Sequence, residues 1–561
     1  MRPASKASQR STPKAKKPSP AATVATIAEG PVGRFLEKYS GILVAALILI
    51  GSVRIVATYY VFSHTFDEPA HIACGMEWLD KGVYRWEPQH PPLARVAAAL
   101  GPYLSGVHSQ GTRNTGDPAE MQEEGLSILY AGKHYDRTLA LARLGILPFF
   151  WIASLAVYWW GRRYFGASVA AVAVFLFTFL PPILAHAGLA TTDMALTAFL
   201  TLSFVAGLVW VERPTVTHGI WFGLATGFMV LSKFSCLVFF PAIAIFVALG
   251  YLALERPGPG ALANAARRRI PTFVMAVAIG FLVIWAGYRF SFGKIPFANI
   301  SLPFPELYAG IQQVQEHAAR GHPCYLLGEI SDKGFWNFYL VGLAYKSPLA
   351  FLGLVGAGPF LIFGKDPLCR RLWIPLAFSG GILAVGVFST INIGIRHVLP
   401  IYAGLSLMAA VAAMKLLAAG QTKKWVWGLL GVSMLWMMLA SVMSHPDYLP
   451  YFNELAGSEP ENILVDSDLD WGQDTKRLGI RLHQAGATSV TYAYFVWARL
   501  VTEQGFPEIR HPDRYRPSEG WNAIGVTLWK RHRTVVWPDQ IKPMERVGKS
   551  ILLWYFPPGV H

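Results

Sequence analysis

"GILVAALILIGSVRIVATYYVFSHTFDEPAH", residues 41–71, changes character in mid-sentence. Its first part, 41–63, is apolar except for Arg54; its end carries the acid pair Asp67-Glu68. In hydrocarbon every backbone N–H and C=O must be satisfied internally, so about 20 apolar residues read as one membrane-crossing helix. Ten more such runs follow, at 138–160, 167–186, 193–211, 219–234, 236–254, 271–290, 344–363, 373–391, 397–418 and 425–443. The expected fold is therefore an all-α polytopic membrane bundle of about 11 spans. The composition agrees. The chain is 53% hydrophobic and only 15% charged, whereas charge makes up about a quarter of an ordinary soluble domain.

Residues 1–40 are rich in Ser, Pro, Ala, Lys and Arg and hold no apolar core of a signal peptide until the first span begins. They read as a disordered basic tail on the cytoplasmic side. The net charge of +15 forms no stripe on a soluble module, so topology accounts for it better than nucleic acid does. With the N-terminus inside, the inner connections contain Arg162-Arg163, Arg213, Arg256 with Arg267-Arg268-Arg269, Lys365 with Arg370-Arg371, and Lys423-Lys424. The short outer connections, 187–192 and 392–396, contain only Arg396. That asymmetry is the positive-inside pattern. It leaves 64–137, 291–343 and 444–561 on the outer side of what is expected to be a bacterial inner membrane.

The first of these segments continues as "HTFDEPAHIACGMEWLDKGVYRWEPQHPPLARV", residues 64–96. Asp67 suits a helix N-cap, with Ile72, Met76 and Leu79 on one face of the helix it starts. Pro91-Pro92 opens a second helix with Leu93, Val96, Ala97 and Leu100 on one side. Both are expected to lie in the interface. The last segment, 444–561, alternates strand-like and helix-like runs ("NILVD", "GQDTKRLGIRLHQAG", "SVTYAYF", "AIGVTLW", "SILLWYF") and reads as a small extracytoplasmic α/β domain. Tyr448, Tyr451 and Phe452 look like an aromatic interfacial anchor.

Ionisable groups near bilayer depth are costly and are functional candidates by default. Here they collect at one end of the spans: Asp67 and Glu68 after the first, Asp193 at the start of the fourth, Lys233 between the fifth and sixth, Arg396 and His397 at the tenth. His71 and His90 belong to the loop beside them. Each has a bland alternative. An isolated Asp at a helix start is a cap, a lone Lys snorkels, a lone Arg anchors at headgroups, and His90 before two prolines suits a turn. Convergence favours chemistry. A carboxylate there can deprotonate an acceptor, and clustered Lys and Arg can hold a phosphate as it leaves. Arg54 and Arg143 also need a partner, an acid, a phosphate or a water-filled cavity. Arg54 lies roughly 15 Å of helix below the expected end of its span.

"DSDLDWGQD", residues 466–474, mimics the opening of a calcium loop, but Trp471 stands where Gly is needed and Arg477 where Glu is needed. A structural reading fits better, with a strand ending at Asp466 and Asp470 capping a helix in a capping box with Gln473. Cation or acceptor binding by Asp466–Asp474 is the alternative. The cysteines, Cys74, Cys236, Cys324 and Cys369, have no metal-ligand spacing. Cys74 and Cys324 share the outer side, where a disulfide is one option and two free buried thiols the simpler one.

At these positions the chain resembles the GT-C glycosyltransferases that use polyprenyl-phosphate sugars, especially the bacterial relatives of protein O-mannosyltransferases (family 39) and the aminoarabinose lipid A transferases. The resemblance rests on "FDEPAHIACGMEWLDKGVYRWEPQHPPLARV", "AHAGLATTD", "LSKFS", "GIRHVLPIY" and "YFNELAGSEPENILVDSDLDWGQDTKRL". It implies a GT-C transmembrane domain over 41–443 and transfer of a sugar from a polyprenyl-phosphate-linked donor, with inversion, to a protein, lipid or polysaccharide. It implies Asp67 as catalytic base with Glu68 beside it, and Lys233, Arg396 and His397 at the donor phosphate. No cofactor is required, although some relatives use a divalent cation; no residues are assigned to a metal. Two other functions fit the sequence less well. A flippase or transporter of lipid-linked sugars would place its charges near the midplane in paired halves, and a scaffold would have no use for opposed acids and bases. A ligase moving a whole lipid-linked glycan is the nearest enzymatic rival.

Overall fold

The computed structural model describes residues 30–364, 366–496 and 498–559. Most of the basic tail, together with Lys365, lies outside the described residues. Residues 31–40, expected as part of that tail, are helical: the first span runs Pro31–Val56, with Pro31 supplying a ready-made first turn.

Among the described residues eight helices are long and apolar enough to cross a membrane: Pro31–Val56, Tyr135–Tyr164, Asp193–Glu212, Cys236–Glu255, Pro259–Gly287, Pro367–Val387, Ile401–Gly420 and Lys424–Met443. A ninth is bent by 68° between Ala167–Thr178 and Pro181–Ala187. Pro181 and Pro182 have no amide hydrogen to continue the ladder, which breaks the helix there. Val216–Ser232 and Leu349–Ile362 are shorter apolar helices. Together these match the expected runs one for one. The helices Asp193–Glu212 and Ile401–Gly420 form the buried centre of the bundle. The peripheral helices turn Ile245, Leu249, Val274, Val277, Val432 and Leu435 outward, an apolar surface too extensive for water and suited to lipid. The chain is an integral membrane protein.

The two ends of the bundle differ. At one, Arg163 pairs with Glu212, Lys415 with Asp366, and Arg371 donates to the Tyr164 carbonyl at 3.1 Å. These are the basic connections. At the other end the segment 64–137 folds into three helices, Glu68–Lys81, Pro92–Leu104 and Pro118–Tyr130, one more than expected. Pro92–Leu104 packs Ala94, Arg95, Ala98 and Ala99 inward and leaves Leu100 and Leu104 exposed, as an interfacial helix does. Glu68–Lys81 is enclosed instead, with its first ten residues buried. A Cβ on Gly75 would meet the Arg95 carbonyl at 2.0 Å, and one on Gly125 the Pro69 carbonyl at 2.1 Å. Only glycine lets the flanking helices approach this closely.

The segment after Pro259–Gly287 carries a hairpin (Phe292–Lys294 with Ser301–Pro303), the helix Pro305–Arg320 and a second hairpin (Cys324–Leu326 with Glu329–Ser331). The C-terminal segment contains a five-stranded sheet in the order Glu508–Arg510, Ser489–Ala493, Gly520–Gly525, Ile551–Phe556, Glu545–Val547. Its first two pairings are parallel and its last two antiparallel. The helix Thr475–Gln484 covers one face through Leu478 and Leu482, while Trp529, Trp537 and Trp554 fill the other. "NILVD" is not a strand, and Val526–Lys530 turns into a helix where a strand was expected to continue. Tyr448 and Tyr451 are buried rather than anchored in the interface; Tyr448 accepts a hydrogen bond from Arg54. All four cysteines are free and buried, so Cys74 and Cys324 are not paired.

Candidate active site

Asp67 precedes the helix Glu68–Lys81, but its side chain caps nothing. Its Oδ2 accepts from Arg396 Nη1 at 2.9 Å. Asp193, the first residue of its helix, does not cap either: Oδ1 accepts from Lys233 Nζ at 2.6 Å, and Oδ2 lies 3.7 Å from Arg396 Nη1. The helix-cap alternative fails for both acids. Lys233 sits where Val216–Ser232 ends and the chain becomes extended, and Arg396 sits in the 3-10 turn Ile395–Val398. Four span ends thus join into one alternating chain, Asp67–Arg396–Asp193–Lys233. Asp67 is its most open member, with 26% of its side chain exposed against 7% for Arg396, 0% for Asp193 and 11% for Lys233. His397 faces the same cluster, with Lys233, Arg396 and Asp193 as its charged neighbours.

Glu68, expected beside Asp67 as a catalytic carboxylate, points away from it to Arg143. Its side chain has no exposed surface. Arg143 Nε and Nη2 each donate to it at 2.8 Å, the Thr65 amide at 2.8 Å and the Ala190 amide at 2.9 Å. Burial alone would raise its pKa, but the Arg143 charge and these donors hold it below the usual carboxylate value. Glu68 is the post on which Asp67 stands. It fixes the loop before Asp67 and the loop leading to Asp193 at once. Arg143, a candidate left without a partner by the sequence, is that partner.

Arg54 has no acid. It lies in the last turn of its helix, not deep below its end, and donates to the Ser441 carbonyl at 2.6 Å, Ser441 Oγ at 2.9 Å and Tyr448 Oη at 3.1 Å. It ties the first span to the last and stands outside the charged chain.

His71 and His90 belong to a second cluster organised by Arg95, which sequence reasoning missed. Arg95 Nε donates to His71 Nδ1 at 2.9 Å, Nη1 to Tyr84 Oη at 3.0 Å and to the Glu87 carbonyl at 2.6 Å, and Nη2 pairs with the Glu87 carboxylate. His90 Nδ1 lies 3.2 Å from the same carboxylate, and the His71 and His90 rings are 5.3 Å apart. Burial, with Arg95 beside it, pushes His71 well below its ordinary pKa. The available signal was Arg95 itself, a cation inside the otherwise apolar "PLARVAAAL".

The acidic motif is not a capping box. The helix starts at Thr475, Asp470 accepts from the Gly472 amide at 3.2 Å and the Thr527 amide at 3.0 Å, and Gln473 Oε1 accepts from the Trp471 amide at 2.8 Å. Among the described residues no three His, Cys, Asp or Glu side chains are grouped to hold a metal ion. Asp67 and Asp193 each face a cation, Arg396 and Lys233.

Residues 139–285, which include Arg143, Asp193 and Lys233, match the model of the dolichyl-phosphate-mannose-protein mannosyltransferase family. The resemblance to polyprenyl-phosphate-dependent GT-C enzymes is borne out across this stretch. No curated protein matches the chain. Among solved structures the chain is similar to ArnT from Cupriavidus metallidurans bound to undecaprenyl phosphate, at 12% identity and a TM-score of 0.48. It is similar also to the same protein in the apo state, at 12% and 0.47; each comparison covers 91% of this chain and 97% of the other.

Proposed function

We propose that this membrane protein, with its mannosyltransferase-family stretch at 139–285, transfers a sugar from a polyprenyl-phosphate-linked donor to an acceptor on the extracytoplasmic face. The observation that carries the reading is the chain Asp67–Arg396–Asp193–Lys233, whose one substantially open group is a carboxylate. The donor's isoprenoid stays in the bilayer while its phosphate meets Lys233 and Arg396, with His397 beside them. The phosphate competes with Asp67 for Arg396, and that exchange releases the Asp67 carboxylate toward the acceptor. Asp67 then takes the proton of the acceptor hydroxyl or amine as its heteroatom attacks the anomeric carbon. The bond from that carbon to the phosphate oxygen breaks, and its electron pair leaves on polyprenyl monophosphate. Attack and departure on opposite faces invert the anomeric centre. The leaving group gains one negative charge, which Arg396 and Lys233 are in position to stabilise. Asp193 stays paired with Lys233 and keeps that cation aimed.

The basic connections at the far end of the bundle support an N-in orientation in a bacterial inner membrane. The acceptor class (protein, lipid or polysaccharide) is set by surfaces beyond these residues. A ligase for a whole lipid-linked glycan uses the same acid–base logic; a transporter has no use for an open carboxylate at a span end. The test is transfer in nanodiscs from a polyprenyl-phosphate sugar to a panel of acceptors, with release of polyprenyl monophosphate measured in parallel. Transfer with monophosphate release supports the transferase; transfer only when the donor is instead a polyprenyl-pyrophosphate-linked glycan, with release of the polyprenyl pyrophosphate, supports the ligase; transfer from neither donor sinks both.

A further inference from the structure

We infer that Ser467 and Trp471, in the acidic turn 466–474, are positioning residues that set the orientation of Arg396 and the place of Asp67 together. The inference rests on the transferase reading above. Arg396 Nε donates to Ser467 Oγ at 3.1 Å, and its guanidinium carbon lies 4.1 Å from the centre of the Trp471 ring. Trp471 is 1% exposed, so the stack is dry. One edge and one face of the fork are therefore held by the C-terminal segment. Nη1 remains for Asp67 and, at longer range, Asp193. A guanidinium held at Nε and over its plane cannot rotate freely, so its remaining donors keep their aim when a phosphate replaces Asp67.

The same turn holds the other partner. The Trp471 carbonyl accepts from the Phe66 amide at 3.1 Å and the Gln473 carbonyl from the Ser63 amide at 3.0 Å. The residue before Asp67 is thus bonded to the residue that stacks on Arg396. The turn is itself fixed. Asp468 Oδ1 accepts from the Ile395 amide at 3.1 Å, its carbonyl accepts from buried Lys346 Nζ at 2.5 Å, and Ser467 Oγ donates to the Ile393 carbonyl. Gly394, at φ +126°, permits the contact; a Cβ there would lie 2.3 Å from Ser467 Oγ. This also explains an acid-rich motif that lacks a calcium loop's spacing. Its acids accept backbone amides, and its Ser and Trp face the site. A lysine at 396 would keep the charge but lose both the Nε bond and the planar stack.

The experiment is a double-mutant cycle on the full chain in nanodiscs, reading kcat and KM for a polyprenyl-phosphate hexose donor. Trp471→Leu, Trp471→Phe and Ser467→Ala are each made in the native and the Arg396→Lys background, with melting temperatures alongside. We expect Trp471→Leu and Ser467→Ala to lower kcat about tenfold beside Arg396 and less than about twofold beside Lys, the non-additivity of residues acting through one another. Trp471→Phe, which keeps an aromatic face, should retain most of the activity. Equal losses in both backgrounds, or no loss beside Arg396, overturn the inference while leaving the transferase reading intact. No transfer by the unsubstituted protein removes both. If Trp471→Leu does not fold, Ser467→Ala decides by the same comparison.

Discussion

Arg396 Nη1 lies 2.9 Å from Asp67 Oδ2 across 329 residues of chain. The pair links the loop after the first span to the turn before Ile401–Gly420, so the cation and the carboxylate with which a phosphate would compete for it form one unit. An acid used as a base must be open to an acceptor and ionised. Partial exposure gives Asp67 the first, with 26% of its side chain open.

Asp67→Asn should therefore fold normally and lose turnover by roughly 100-fold or more, the worth of a positioned general base. Because the native side chain caps no helix, the substitution removes no capping bond. The measurement is sugar transfer with the melting temperature recorded on the same sample. An active Asp67→Asn, or an inactive one that has merely unfolded, contradicts the assignment.

Glu68→Gln should show the opposite profile. It leaves the Arg143 guanidinium, 1% exposed, without its counter-charge, and breaking a buried pair costs about 3–5 kcal/mol. The main effect is a lower melting temperature, with donor affinity and turnover of the folded fraction falling less than in Asp67→Asn. Exchanging both partners, Glu68→Gln with Arg143→Gln, should recover part of the loss. Full stability with dead chemistry would return Glu68 to the list of bases.

Much of this was legible because hydrocarbon imposes so strict a rule. Apolar runs gave the spans, and charge at span ends marked Asp67, Asp193, Lys233 and Arg396, which do meet. Pairing was less legible, since neighbouring residues diverge: Asp67 and Glu68 are adjacent in sequence, yet one reaches Arg396 and the other Arg143. Local pattern also could not show that "DSDLDWGQD" folds against the first loop. Its partners are distant in sequence: Ile393 and Ile395 lie 74 and 73 residues from Ser467 and Asp468, and Phe66 belongs to the first outer loop. Arg95 was overlooked because one cation in an apolar helix carries no sign of the His71, Tyr84 and Glu87 groups that surround it.

Lys233→Ala and Arg396→Ala should each weaken binding of the donor, or of polyprenyl monophosphate as its product, by several kcal/mol or the equivalent loss in kcat/KM, the scale of losing one partner of a desolvated charge. Lys233→Ala carries a second cost, since Asp193 then sits buried with Arg396 alone at 3.7 Å. Binding of the monophosphate is the cleaner readout because it needs no acceptor. Unchanged affinity in both variants would move the phosphate site elsewhere.

Reporter fusions at residues 188, 260, 395 and 500 test the orientation that the mechanism requires. Positions 188, 395 and 500 should report outside and 260 inside, since the Arg269 connection lies at the opposite end of the bundle from Asp193 and Arg396. A cytoplasmic signal at 188, 395 or 500 would separate the site from an extracytoplasmic acceptor.

Glu87 gives a pH-dependent prediction that is independent of catalysis. Burial alone would raise its pKa, but the Arg95 guanidinium and then His90 pull it down to about 2 from an ordinary 4.5. A carboxylate with a depressed folded-state pKa binds fewer protons folded than unfolded across that interval, so stability falls as pH falls. Its contribution is complete above about 4.5 and is lost as pH drops from there toward 2. At 1.36 kcal/mol per unit the full effect is on the order of 3 kcal/mol. Glu87→Gln should accordingly be less stable than the native protein at neutral pH, and the gap should close as both are acidified through that window. Melting in detergent at a series of pH values measures it. A gap that stays constant down to the acid limit would mean that Glu87 holds the Arg95 cluster by shape and hydrogen bonding, with its charge contributing nothing.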